Sequence, residues 1–270
     1  MKVWAVTMVR NEEDIIGFTL RHMISEGVDG IMVADNMSSD KTRDILEDIK
    51  RQAPIQVFIV DDKEIGYYQG RKMTFLARLA AEKGAHYIIP FDADELWYCM
   101  EPGRVADILC QSNVDVARIQ IWNHFNTLSD SEDENPFLRM QWRMKERSSF
   151  FKVAYRYQSN LLIAQGNHDI LDLDCVPVKS DLMPIGIRHF PYRSVGHFIQ
   201  KARIGGAAYA STDLAPHQGA HWKRYKRILD NDGPKALEEI FYRDFCFPDP
   251  QMAGMVHDPA PFMKNGHDRL

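Results

Sequence analysis

Long apolar runs are missing from this sequence. None approaches the roughly 20 residues that a membrane-spanning helix needs, so no spanning segment is expected. Cysteine is scarce: Cys99, Cys110, Cys175 and Cys246 are scattered, with no Cys-X-X-Cys pair and no zinc-like spacing. That removes a structural zinc site and makes free thiols in a reducing, cytoplasmic setting the simplest expectation. Basic charge is not in excess either. With 33 Lys and Arg against 38 Asp and Glu, a formal net charge of -5, the chain has no global positive field to attract nucleic acid or an anionic membrane. Glycine-rich phosphate loops are absent after the first apolar segment, which excludes a dinucleotide fingerprint and a P-loop. No internal repeat stands out, and no linker is long enough to split the chain. The first nine residues begin like a secretion signal, but Arg10, Asn11, Glu12, Glu13 and Asp14 cut the apolar part short, and a first strand is expected instead.

What is present is an ordinary globular composition. With 270 residues, 45% hydrophobic and 26% charged, the chain can bury a substantial core. Apolar segments at 3–9, 30–34, 55–60 and 87–91 alternate with stretches of helical period. Ile15, Ile16, Thr19, Leu20, Met23 and Ile24 make the first such stretch, closed by Gly27. Ser38, Ser39 and Asp40 cap a second that runs to about residue 50, and Met73, Leu76, Ala77 and Ala80 mark a third. Strands alternating with helices predict an α/β fold with a Rossmann-like, mostly parallel sheet flanked by helices. Each strand ends on polar or acidic residues. Asp35, Asp61, Asp62, Asp92, Asp94 and Glu95 are expected to converge at the carboxyl edge of the sheet, where open α/β sheets place their ligands. A cation there would relieve their repulsion. Asp92 and Asp94, at i and i+2 after an apolar strand, suit a hard divalent ion with oxygen ligands; an ordinary solvated acidic turn is the other reading of the same spacing.

Three segments together carry a resemblance. Val-Arg-Asn-Glu-Glu at 9–13, Asp-Asn-Met-Ser-Ser-Asp-Lys-Thr at 35–42 and Phe-Asp-Ala-Asp-Glu at 91–95 are similar, in order and spacing, to the motifs of family 2 glycosyltransferases of the GT-A fold. The resemblance implies a nucleotide-sugar donor, with Mg2+ or Mn2+ bridging its pyrophosphate to the Asp-X-Asp. It implies Arg10, Asn11 and Glu12 in the donor pocket, Asp35 on the base, Arg71 on the base or diphosphate, Asp92 on the ribose or a metal-bound water, and Asp94 on the metal. His189, at the end of a later strand, is implied as a third metal ligand. In an inverting transfer a carboxylate must take the acceptor hydroxyl's proton; the matching stretch here reads His168-Asp169, which leaves both as candidate bases. Inversion and a UDP or GDP donor follow by analogy with the family. The residues alone leave plainer roles open: Asp35 as a turn cap, Arg71 as a solvated first-turn side chain, Glu12 as helix-dipole compensation, and His189 as a structural histidine.

The second half is less regular. A helix is expected near 105–110, then strands at 114–122, 150–157, 161–164 and 185–190, then a helix through Phe198, Lys201 and Ile204. Arg188, Arg193 and Lys201 are candidates to neutralise a leaving diphosphate. The expected division is a catalytic domain at 1–215, with a nucleotide-sugar half at 1–100 and an acceptor half at 101–215, followed by a C-terminal helical extension and tail at 216–270. Residues 221–227, basic and interleaved with Trp222 and Tyr225, read as a lid helix over the site or as a peripheral membrane contact. The tail after Phe247 is expected to be poorly ordered or to wrap the surface. The leading function is thus a metal-dependent glycosyltransferase acting on a glycan, protein or small-molecule hydroxyl. A nucleotidyltransferase on sugar phosphates and a non-catalytic nucleotide- or glycan-binding module are the alternatives.

Overall fold

The first strand explains the architecture. In β1 (Val3–Val9) the side chains of Val3, Ala5 and Val9 enter one core cluster, and those of Trp4 and Val6 enter another. A strand apolar on both faces must be central, with helices above and below. The chain, seen in a computed structural model that describes residues 1–259, then runs α1 (Ile16–Ser25), β2 (Gly30–Asp35), α2 (Thr42–Gln52), β3 (Gln56–Asp61), α3 (Gln69–Glu82) and β4 (Tyr87–Pro90). β1 pairs in parallel with β2 and with β4, and β2 in parallel with β3. α1 and α2 bury Ile16, Leu20, Met23, Leu46 and Ile49 on one face of this sheet, while α3 buries Met73, Leu76, Ala77 and Ala80 on the other.

The remaining elements follow, their strands extending the same sheet except for β9 and β10, which pair with each other in a separate two-stranded sheet. They are β5 (Glu95–Cys99), α4 (Val105–Gln111), β6 (Val116–Thr127), α5 (Pro136–Arg139), β7 (Trp142–Met144), β8 (Phe151–Arg156), β9 (Leu162–Ile163), β10 (Ile170–Leu171) and β11 (Asp181–His189), then α6 (Val195–Ala210), α7 (Ala220–Asp232), α8 (Pro234–Asp244), β12 (Cys246–Phe247) and β13 (Met255–His257). The sheet order is β13-β7-β6-β8-β4-β1-β2-β3, with β11 pairing β5 and β6. β8 runs antiparallel to both β4 and β6, so the regular parallel winding of the first half gives way to a mixed arrangement. α6, α7 and α8 build a third small core around Phe198, Tyr225, Leu237 and Phe241. The α/β class, the Rossmann-like parallel centre and the helical C-terminal extension agree with the sequence expectation.

One detail differs from it. Glu95 does not belong to a solvated strand end: it opens β5 and is fully buried. The tail wraps the surface as far as it is described, since β13 pairs with β7 and Asp258 accepts from Arg143 and Arg188 at 2.8 and 2.7 Å. Residues 260–270 lie outside the described part.

Candidate active site

A cavity of about 400 Å3 lies where β1, β2 and β4 end, and α6 and α7 roof it. Its floor is made by the turns that leave those strands. Asn11 adopts φ 56, a left-handed conformation that Asn tolerates better than most residues. This turns the chain from β1 toward α1, and Asn11 fixes the turn by accepting from Ser39 N–H at 2.8 Å and donating its own N–H to Ser38 Oγ at 3.1 Å. Arg10 reaches Asn36 Oδ1 at 3.4 Å across the ends of β1 and β2.

The roof brings two cations, Arg193 and Lys201, to the acids of the strand ends. Ser194 caps α6 by accepting from His197 N–H at 3.1 Å. His197, Lys201, Gly205 and Ala208 follow at i, i+4, i+8 and i+11, one face of the helix, turned toward the strand ends. Arg193, just before the helix, is completely buried. It binds Glu12, reaches Asp14 Oδ2 at 2.7 Å and stands 3.8 Å from Asp94. Lys201 donates to Asp94 Oδ2 at 2.7 Å and lies 3.6 Å from Glu12. Burial pushes both carboxyls up, but the cations win: Lys201 and Arg193 bring Glu12 down to about 2 and hold Asp94 well below the usual carboxylate range.

Asp94 has a second neighbour of a different kind. His189 Nδ1 donates to Asn123 Oδ1 at 2.8 Å, so its Nε2 keeps a lone pair, and that atom faces Asp94 Oδ1 at 3.6 Å. Burial lowers the imidazole to about 4 against the pull of Asp94, so the ring is neutral at pH 7. A carboxylate oxygen and an imidazole nitrogen thus face each other across 3.6 Å. This is the donor set a cation accepts, with the imidazole oriented from behind as metal-binding histidines usually are.

Asp92 is engaged otherwise. Its Oδ2 is bound by Lys152, and its Oδ1 accepts from Gln69 Nε2 at 2.8 Å and Asn167 Nδ2 at 3.1 Å. Lys152 also meets Glu95 at 3.0 Å and donates to Gly166 O at 2.9 Å. Burial raises Glu95 to about 7 despite Lys152. Glu95 Oε2 in turn accepts from the backbone N–H of Asp92 and from Trp97 Nε1, which locks the Asp-X-Asp turn from beneath.

Of the residues singled out from sequence, Arg10, Asn11, Glu12, Asp92, Asp94, His168 and His189 line this one cavity. Asp35, Arg71 and Asp169 do not. Asp35 accepts from Ser38 N–H at 3.1 Å and lies 3.6 Å from Arg43. Arg71 is 65% exposed, 3.5 Å from Glu64 and stacked on Tyr68. Asp169 uses its carbonyl to accept from Ala164 N–H at 2.9 Å. Asp61 and Asp62 pair with Arg43 and Lys72 and also stay off the cavity, so the six-acid convergence reduces to Asp92 and Asp94. Arg188 turns away, to Asp258 and the Tyr98 ring.

Sequence reasoning missed Lys152, Gln69 and Asn167. Lys152 did leave a signal, as the one charged residue inside the apolar run 150–155. A lysine buried there needs a carboxylate. Residues 221–227 fall in α7, where Tyr225 is buried and Trp222 lines the cavity.

Among solved structures, the chain is similar to TarS 1-349 of S. aureus in complex with UDP: 13% identity over 85% of this chain and 72% of that one, TM-score 0.42. It is also similar to HddC from Yersinia pseudotuberculosis, at 12% identity over 71% and 95%, TM-score 0.39. A third is glucosyl-3-phosphoglycerate synthase from Mycobacterium tuberculosis, in complex with Mn2+, UDP and phosphoglyceric acid, at 16% identity over 45% and 43%, TM-score 0.31. No curated protein matches. The profile of glycosyl transferase family 2 matches residues 4–168, more than half of the chain. That span holds β1 to β8 and the Asp-X-Asp turn at the cavity floor, and the chain therefore belongs to glycosyl transferase family 2.

Proposed function

We propose that this protein moves a sugar from a nucleoside diphosphate donor, UDP- or GDP-linked, to a hydroxyl acceptor, with a divalent cation and with inversion at the anomeric carbon. The observation that carries the reading is the Asp94–His189 pair, beside Lys201 and Arg193, in a cavity at the strand ends. Among the described residues no set of three or more His, Cys, Asp or Glu is arranged to hold a metal. Two protein ligands are nevertheless enough for Mg2+-like sites, which complete their shell with water and substrate phosphate oxygens. Asp94 and His189 fit that role. A bound Mg2+ or Mn2+ would supply positive charge to the diphosphate as it leaves.

The chain's own residues do the rest. Arg10, Asn11 and Asp92 are assigned to the donor, Glu12 to holding Arg193, and Lys201 and Arg193 to the charge that develops on the diphosphate. Asp35 and Arg71, outside the cavity, are left out of this set. His168 is assigned as the base. It donates Nδ1–H to Phe151 O at 2.7 Å, which leaves Nε2 as an acceptor, and it lines the cavity where Asp169 does not. Burial lowers its pKa, so the proton-accepting form is present at neutral pH. Residues 1–100 form the donor half and 101–215 the acceptor half of this unit. Residues 216–270 form its extension, with α7 as lid rather than membrane contact because Trp222 and Tyr225 turn inward.

Thermal shift with UDP, GDP, dTDP and CDP, with and without Mn2+, tests the reading. A ligand at 100 times its Kd stabilises by about 2.7 kcal/mol, or about 5–10 °C for a protein of this size. One diphosphate should do this with Mn2+, and Asp94→Asn should abolish the effect. A response only to nucleoside triphosphate with sugar 1-phosphate would favour the nucleotidyltransferase. Response to no nucleotide would refute the donor site.

A further inference from the structure

The sheet order divides the cavity. Met8 to Glu12 and Asn36 lie over the ends of β1 and β2, while Ile121, Asn123, Lys152 and His189 come from β6, β8 and β11 on the other side of β4. From β2 to β6 the path crosses four strand spacings, about 19 Å at 4.8 Å each. The nucleotide half therefore leaves a second region over β6 and β8. Phe150 stands at its mouth, 61% exposed yet lining the cavity.

That ring is held, not loose. One side stacks on His168, with centroids 4.9 Å apart and planes at 25°. Ser148 N–H donates to Ile121 O at 2.8 Å, and Ser148 Oγ accepts from Phe150 N–H at 3.1 Å, so the loop is pinned to β6. The next residue, Phe151, has the guanidinium groups of Arg118 and Arg147 at 4.7 and 4.8 Å from its ring centre. Cations around the subsite are thus already engaged: Arg118 and Arg147 on Phe151, Lys152 on Asp92 and Glu95.

We infer that Phe150 is an acceptor-side platform for the ring of an uncharged sugar. The electron-rich face of an aromatic ring attracts the weakly positive C–H face of a pyranose. Ser148 and Asn123 also line the cavity, where the Ser148 O–H and the Asn123 amide N–H can donate to sugar hydroxyls, and His168 Nε2 lies beside the platform to take the proton of the hydroxyl that attacks. The inference rests on the transferase reading for its chemistry; the platform itself is tested separately.

Saturation-transfer NMR on the full chain, with aromatic protons irradiated, uses methyl β-D-glucopyranoside, methyl β-D-galactopyranoside and methyl N-acetyl-β-D-glucosaminide as probes. Ribitol is the ringless control. At least one pyranoside should receive saturation at its ring C–H protons. The effect should fall about fivefold in Phe150→Ala, in line with the loss of one aromatic stack, and persist in Phe150→Trp. Equal saturation in Phe150→Ala and wild type, equal transfer to ribitol, or no transfer to any pyranoside overturns the platform. The donor screen answers a different question: if no nucleotide stabilises the protein while the pyranoside effect holds, the transferase reading fails and the sugar platform remains.

Discussion

Replacing Arg193 with Met tests whether the charges beneath α6 hold the site together. The guanidinium is fully buried against Glu12 and Asp14. Met keeps much of the volume, so the change removes charge more than packing. Asp14, 38% exposed, can regain water. Glu12, only 10% exposed, cannot, and is left with Lys201 at 3.6 Å and a His197 that burial holds near 4 and hence neutral. Breaking a buried pair from one side costs about 3–5 kcal/mol. The displacement of Glu12 from 4.5 to about 2 is the joint effect of Lys201 and Arg193 against burial and corresponds to about 3 kcal/mol in all, of which Arg193 supplies a share. At roughly 2–4 °C per kcal/mol, a loss of about 3 kcal/mol, the lower end of that range, should lower the melting temperature by about 6–12 °C at pH 7. The sign of the pH dependence follows from the depressed pKa. Glu12's contribution is fully present above its ordinary value near 4.5 and disappears as pH falls toward 2. The gap between wild type and variant should therefore narrow across that interval. Scanning fluorimetry from pH 7 to pH 2.5 measures it. A drop under about 3 °C at pH 7, or a gap that does not narrow in acid, would refute the reasoning.

His168→Ala should lower kcat by about 10²–10⁴ while leaving nucleotide stabilisation in place. Because burial lowers the His168 pKa from 6.5, the acid limb of wild-type kcat/KM should lie below pH 6.5 and vanish in the variant; loss of rate in Asp169→Asn instead would move the base to that residue. Gly206 sits where α6 meets α7, and a Cβ there would collide with Lys226 and approach Trp222 O to 3.0 Å. Gly206→Val should push α7 outward, costing about 1–3 kcal/mol and weakening turnover, as denaturant unfolding and donor-hydrolysis assays would show; an unchanged unfolding midpoint would mean the two helices are not in close contact.

The parallel half of the fold was legible because its signals are local. Strand β1 spans the residues its apolar run predicted, and α3 buries the same Met73, Leu76, Ala77 and Ala80 that its period marked. The antiparallel half was less so. β8 and β11 are recognisable as strands, but which neighbours they take depends on contacts distant in sequence, such as Gln120 with Phe151 and Ile187 with Trp97.

By itself the sequence determined the α/β class and the alternation of the first four strands with three helices, since hydrophobic period and turn residues act over a few positions. Only the tertiary structure decided how the charges pair. Lys152 reaches Asp92 across 60 residues and Arg193 reaches Glu12 across 181. It likewise sent Asp35 and Arg71 away from the cavity and brought Phe150 onto His168. A buried carboxylate must find a cation wherever the sheet order places one, and no local pattern encodes that order.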